Sequence, residues 1–325
     1  MKTRENRNTV IVLAGPTGVG KTGAAIWLAK RLGTEVLSAD SRMVFRGMDI
    51  GTAKPTLEER QGVPHHLIDV ADPDETFSAG RFRGEAIPIL DRLLARGMVP
   101  IVVGGTGLYI KLLFRGLWTG PGADWNLRKA LYREEEEGGP GTLHARLLKV
   151  DPESAGRIAP ADQPKLVRAI EVFEKTGTPL SAHHRDHGFP EKSFDTLFLG
   201  LRRERPDLFK RIEKRVDRMV EMGLPGEVEG LIARGYSPDL PSMKGLGYRQ
   251  MAGYLDGQYN FSEAVRILKK DTKRYAKRQF TWFNRDPDIR WVELAEGDDD
   301  ERVFERLAEN LPDPVSLSNG RLEYK

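Results

Sequence analysis

The 325-residue chain contains no cysteine. Disulfides, thiolate metal sites and a thiol nucleophile are therefore excluded, and catalysis must come from other groups. It also lacks any apolar run near the ~18 residues that a membrane span needs. The N-terminus, Met-Lys-Thr-Arg-Glu-Asn-Arg-Asn, lacks the apolar segment of a secretory signal. These absences give the expectation of a soluble cytoplasmic protein that does not enter a membrane. A large charge excess is missing too: 51 Lys and Arg face 48 Asp and Glu, a net charge of +3 that does not alone establish a nucleic-acid partner. The distribution is uneven, with basic residues concentrated between Arg266 and Arg285. A hydrophobic content of 39% at this length can bury a good core, and two units are expected.

What is present begins with "VIVLAGPTGVGKTGAA". Gly15, Pro16, Thr17, Gly18, Val19, Gly20, Lys21 and Thr22 form a complete GxxxxGK[ST] between an apolar run and a helical pattern, the context of a phosphate loop. Glycines leave the backbone bare, so N–H groups can line a phosphate-sized concavity while the following helix adds its positive end. Lys21 would reach a phosphate oxygen and the Thr22 hydroxyl a Mg²⁺ ion. The loop fixes a polyphosphate without naming the ligand.

Short apolar runs at Val10 to Ala14, Glu35 to Ala39, His66 to Val70, Pro100 to Gly104 and Thr196 to Leu201 alternate with helical patterns, which predicts an α/β fold with a parallel sheet flanked by helices. From about Trp118 to Pro190 the chain is helical, charged and broken by Gly-Pro punctuation. The division expected is a P-loop α/β core over residues 1–117, a helical insertion domain over 118–192, and completion of the core with a basic helical region over 193–325. The run Glu134 to Glu137 reads as a solvated helix end.

Asp40 lies just past the second strand, at the carboxyl edge where open α/β sheets bind ligands, followed by the Gly-rich stretch Gly47 to Pro55. A carboxylate there can accept a proton, hold Mg²⁺ or cap a helix. The turn Gly104-Gly105-Thr106-Gly107 allows close backbone approach and supplies a hydroxyl, making a third wall of one pocket. Arg211 and Arg215, four residues apart, share a helix face and suit a diphosphate, although a solvated basic face reads equally well. On the segment Phe261 to Arg285, Arg266, Lys269, Lys270, Lys273 and Lys277 form one acid-free stripe, opposite Leu268, Thr272, Tyr275, Gln279 and Trp282. Lys270, Lys273 and Lys277 are accordingly expected to meet RNA phosphates. His183, His184 and His187 lack a companion carboxylate set of familiar metal-site spacing, and His65 and His66 read as structural.

Taken in order, "GPTGVGKT", "SADSRMVFRGMDIGTAKP", "PHHLID", "VGGTGLYIK", "KLVRAIEVFEKTGTPLS", "KRIEKRVDRMVEMGL", "GLGYRQM" and "YAKRQFTWF" resemble the tRNA dimethylallyltransferase (tRNA isopentenyltransferase) family over nearly the whole chain. The resemblance implies a P-loop NTPase-like fold that transfers a prenyl group from dimethylallyl diphosphate to N6 of the adenosine immediately 3′ of a tRNA anticodon. It makes Asp40 the proton acceptor, gives Lys21 and an arginine of the pair Arg211/Arg215 to the departing diphosphate, and has Thr106 position the amine or leaving group. It implies contacts with the tRNA anticodon stem-loop at Asp40, Ser41, Arg42 and Met43, at Thr106 and Arg128, and along Pro164, Lys165, Leu166, Val167 and Arg168. A monomer using Mg²⁺ is expected. The chain departs from the family where Gln is usual at Met43, Tyr at Phe45, and "ND" and "QR" at Ala161-Asp162 and Pro164-Lys165. An adenylate isopentenyltransferase, a phosphate-loop kinase of small molecules and a phosphate-regulated RNA-binding protein remain alternatives at this point.

Overall fold

The phosphate-loop strand occupies the interior of a six-stranded parallel sheet. The computed structural model describes residues 9–116, 120–186, 194–298 and 300–311. In chain order these form β1 (Thr9–Ala14), α1 (Lys21–Leu32), β2 (Val36–Ser38), β3 (His65–His66), α2 (Ala79–Ala95), β4 (Ile101–Gly104) and α3 (Gly107–Arg115). Five helices follow: α4 (Trp125–Gly138), α5 (Thr142–Val150), α6 (Pro152–Arg157), α7 (Gln163–Thr176) and α8 (Leu180–Asp186). The remainder is β5 (Asp195–Arg203), α9 (Arg205–Glu221), α10 (Leu224–Ala233), α11 (Tyr248–Leu255), α12 (Phe261–Phe283), β6 (Arg290–Leu294) and α13 (Asp300–Glu309).

The strand order is β3-β2-β4-β1-β5-β6, with β1 paired to β4 on one side and β5 on the other. Both faces are covered. Val10, Val12 and Ala14 point into one core with Phe82, Leu90 and Ile110, while Ile11 and Leu13 point into the other with Leu28, Leu199 and Ile212. Period-two alternation of β-branched and aliphatic residues thus becomes two buried faces, each large side chain contributing about 1.5–3 kcal/mol of burial. The sheet brings the turns after β1, β2 and β4 side by side at its carboxyl edge.

Two compact units are present, one of Met1–Phe114 with Lys192–Lys325 and one of Arg115–Glu191. The second is an α-helical unit packed around Leu131, Leu143, Leu147, Leu166 and Ile170.

Three expectations need correction. Of the run His66 to Val70, only His66 is in a strand, because Leu67 and Asp69 take left-handed φ angles of 59° and 58° that break extended pairing. Strand β6 was not expected: "RWVEL" is an edge strand exposed at Arg290 and Glu293, so its pattern carries little apolar signal. The acidic run is not wholly solvated. Glu135 is buried and accepts from Gly141 N–H (2.8 Å) and Leu143 N–H (2.7 Å), capping α5, which holds its carboxyl below the usual range.

Candidate active site

Gly20, at φ 112°, turns the chain from the phosphate loop into α1 and offers no side chain to cap it, so the positive helix end stays open to an anion. The loop carbonyls are held by cations. Lys21 Nζ donates to Pro16 O (2.8 Å), Arg211 Nε to Gly18 O (3.0 Å) and Arg203 Nε to Val19 O (3.2 Å). Val19, expected to line the phosphate, is a core residue contributing only backbone.

Asp40 both caps and faces the cavity. Its Oδ1 accepts from Arg42 N–H (2.8 Å) and Met43 N–H (3.4 Å), closing the turn after β2. Thr106 Oγ1 accepts from Ser41 N–H (3.0 Å), and Thr106 N–H donates to Ala39 O (3.2 Å), so the turns after β2 and β4 are stitched together. Gly104 is required there, since a Cβ would lie 2.1 Å from Ala39 O.

The charges gathered here favour an anion. Burial, with the neighbouring Arg215 guanidinium second, pushes Lys21 down to about 7, and Asp40 opposes that shift. Burial also lowers Arg215, again against Asp40. Tyr275 is pushed up to about 12, first by burial and then by Asp40, and burial raises Tyr109 in the same field. Two cations beside one carboxylate in a desolvated space leave an excess of positive charge.

Two cavities meet at this point. One, of about 370 Å³, is lined by Asp40, Met43, Gly105, Tyr275, Arg278 and Gln279 among others. The second, of about 980 Å³, is lined by Gly18, Gly20, Lys30, Arg31, Arg211, Lys214 and Arg218 among others. Lys21, Thr22, Pro55, Arg215 and Met219 line both. Of the expected arginine pair, Arg215 alone reaches both cavities. The stretch Gly47 to Pro55 borders both, held by Glu227, which accepts from the N–H groups of Asp49 (3.0 Å), Ile50 (2.7 Å) and Gly51 (3.1 Å) and from Tyr248 OH (2.6 Å). No sequence signal marks Glu227.

Several residues expected to meet RNA have other engagements. Arg42 NH1 donates to Pro241 O (2.7 Å) and Ser242 O (3.3 Å), although it still lines the smaller cavity. On α12 the stripe is not acid-free in space: Lys269 pairs with Asp217 (2.6 Å) and Lys273 with Glu213, both on α9, and Arg266 with Glu263 (2.5 Å). Lys273 therefore staples two helices. Lys270 and Lys277 are exposed and have no ion-pair partner among the described residues.

In the helical unit, Leu166 and Val167 are core residues and Lys165 pairs with Asp162. Pro164 lies in the first turn of α7, where its missing N–H costs nothing. Arg128 binds Glu171 through Nε (2.9 Å) and NH2 (2.8 Å), and Arg168 NH1 binds Glu171 (2.6 Å) and Pro121 O (2.9 Å). Despite complete burial, these partners hold Glu171 down to about 2. Of the three histidines, His187 lies outside the described residues. Among the described residues no three His, Asp or Glu side chains cluster as metal ligands.

The IPP transferase family model matches residues 43–286. The chain belongs to the IPP transferase family. A family relative, the tRNA dimethylallyltransferase of Desulfosudis oleivorans, is 53% identical over 90% of this chain and 93% of its own. The tRNA dimethylallyltransferase of Pelotomaculum thermopropionicum is 46% identical over 95% and 98%. Among solved structures, the tRNA isopentenylpyrophosphate transferase of Bacillus halodurans superposes with a TM-score of 0.68 at 39% identity, covering 93% of this chain and 98% of that one. A eukaryotic dimethylallyltransferase acting on tRNA gives 0.78 at 29% identity, covering 94% and 80%. The family match begins at Met43 and so does not include the phosphate loop or Asp40. No described helix is long and apolar enough to cross a membrane.

Proposed function

We propose that this IPP transferase moves a dimethylallyl group from dimethylallyl diphosphate to N6 of the adenosine immediately 3′ of a tRNA anticodon. The observation that carries the reading is the shared throat: Lys21, Thr22 and Arg215 line both a cation-rich cavity and a smaller one containing Asp40. The diphosphate would sit on the α1 N-terminus, facing the larger cavity. The adenine, flipped from its loop at a cost of a few kcal/mol, would enter the smaller one.

The adenine amine is a weak nucleophile because its lone pair is delocalised into the ring. Its N6 lone pair forms the bond to the allylic C1, the C1–O bond breaks, and the electron pair leaves on the diphosphate oxygen. Asp40 takes the N6 proton through Oδ2, while Oδ1 stays on the Arg42 and Met43 N–H groups and fixes the carboxylate's angle. Thr106 holds the turn carrying Asp40. Lys21, Arg215 and the α1 N–H groups stabilise the charge that builds on the leaving group.

Mg²⁺ suits the donors at hand. The Thr22 hydroxyl is a hard ligand at the throat, and an ion there would draw its other ligands from diphosphate and water, as Mg²⁺ does. When bound, it would neutralise charge on the diphosphate. Lys270 and Lys277, exposed on α12, would meet RNA phosphates, Arg278 lines the smaller cavity, and the protein would act as a cytoplasmic monomer.

Incubation with labelled dimethylallyl diphosphate and either unmodified tRNA or AMP, followed by nucleoside analysis, tests the reading. Label on N6-prenylated adenosine from tRNA supports it. Transfer to AMP alone would make the enzyme an adenylate prenyltransferase.

A further inference from the structure

Gln279 lies on the inner side of α12 and is 6% exposed. Its Oε1 accepts from Thr17 N–H in the phosphate loop (2.9 Å), and its Nε2 donates to the Gly105 carbonyl in the Gly-rich turn (2.9 Å). Strands β1 and β4 are paired only as far as Ala14 and Gly104, so beyond the sheet edge their ladder no longer fixes the distance between the two turns. One amide does so instead. From Gly105 the connection continues through Thr106 to Ala39 and Ser41, and thus to the turn that carries Asp40.

The seat for α12 is tight. A Cβ on Gly105 would lie 2.2 Å from Gln279 Nε2, and one on Gly107 would lie 2.2 Å from Trp282. The two glycines keep open the space into which the helix inserts these side chains. A glutamine is suited to the place because it offers an acceptor at one end and a donor at the other in a single plane.

We propose that Gln279 is a positioning residue that sets the gap between the diphosphate wall and the Asp40 wall, and so the distance across which the amine attacks C1. The proposal rests on the function given above. Each wall keeps its own binding groups when the clasp is lost. The loss should therefore appear in turnover, where a shift of about 1 Å can cost about 10²-fold, and not in the affinity for either substrate.

The test uses the full chain and two variants. Gln279→Met keeps the shape and removes both hydrogen bonds. We expect kcat to fall by about 10- to 100-fold, with dissociation constants for dimethylallyl diphosphate and tRNA each changed by less than about twofold. Gln279→Glu supplies an internal rescue. While its carboxyl is neutral it still offers one acceptor and one donor, but once ionised it can only accept and opposes the Gly105 carbonyl. Its rate relative to wild type should therefore fall as pH rises from about 6 to about 9, with each rate divided by the wild-type rate at the same pH to cancel Asp40 and Lys21. The groups around it are Tyr275, which stays neutral through this range, with Lys21, Asp40, Arg42, Arg215 and Arg278 lining the same cavity.

A Gln279→Met enzyme of normal kcat, or a loss confined to the affinity for one substrate, would overturn the proposal. If that variant does not fold, the Gln279→Glu ratio decides: a slope supports the clasp and a flat ratio refutes it. Wild-type protein that fails to transfer the prenyl group would instead refute the functional reading.

Discussion

Raising the pH should weaken diphosphate binding in a way that a permanently charged lysine would not show. In the free chain Lys21 sits near 7, because burial and the Arg215 guanidinium disfavour its charge. A bound diphosphate compensates both effects and returns the ammonium toward its ordinary range, so the complex holds a proton that the free site has lost. Binding above pH 7 must then take up that proton, and affinity falls as pH rises. With a bound-state value well above 9.5, the dissociation constant should rise by ~80-fold between about pH 7.5 and about pH 9.5, or ~2.6 kcal/mol. The ligand's own last ionisation, near ~6, is complete over this window. Calorimetric titration with dimethylallyl diphosphate, in the absence of tRNA and in two buffers of different ionisation heat, measures both quantities. Uptake of close to one proton at the upper end is expected, and Lys21→Met should bind weakly with neither uptake nor slope. An affinity constant within about twofold across the window, without proton uptake, would refute this account of the site.

Asp40→Asn should retain both substrates and lose about 10² to 10⁴ in turnover, which single-turnover kinetics with saturating tRNA would read; undiminished turnover would leave Asp40 only its capping role. Replacing Lys270 and Lys277 together by Gln should reduce the salt slope of tRNA affinity by about 1.4, at ~0.7 for each lost phosphate contact to looped RNA. Lys273→Gln should lower thermal stability by breaking its pair with Glu213, and leave that slope unchanged. Glu171→Gln leaves Arg128 and Arg168 under-compensated and should destabilise the helical unit by about 3 kcal/mol or more in urea unfolding. Because the Glu171 carboxyl is lowered to about 2, the stability it contributes is complete above its unfolded value near ~4.3 and is lost as pH falls from there through about 2.

The parallel sheet and the turns after its strands were legible because they rest on local signals. Apolar runs of strand length, a phosphate-loop spacing and glycines where an added Cβ would lie 2.1 Å from a neighbouring backbone oxygen all leave marks in a single stretch of chain. Edge strand β6 left none, because half of it faces outward. Charge was the weakest guide to the site. A helical wheel places Lys273 in a basic stripe but cannot show Glu213 on α9 across from it, and it cannot show that Arg128 and Arg168 converge on a buried Glu171. Gln279 had a faint mark, a polar side chain on the face opposite the basic stripe, yet its two partners lie 262 and 174 residues away. Long-range polar contacts of that kind are fixed by tertiary packing, which no local window contains.

The central claim is that the Asp40 cavity presents an adenine amine to a prenyl diphosphate held by the phosphate loop. Mass spectrometry of nuclease fragments from an anticodon stem-loop, after incubation with dimethylallyl diphosphate, tests it most directly when run beside a stem-loop carrying guanosine immediately 3′ of the anticodon. The account predicts one five-carbon unit on the fragment containing that adenosine and none on its guanosine counterpart. A prenyl group on another nucleotide, or equal modification of both stem-loops, would contradict it.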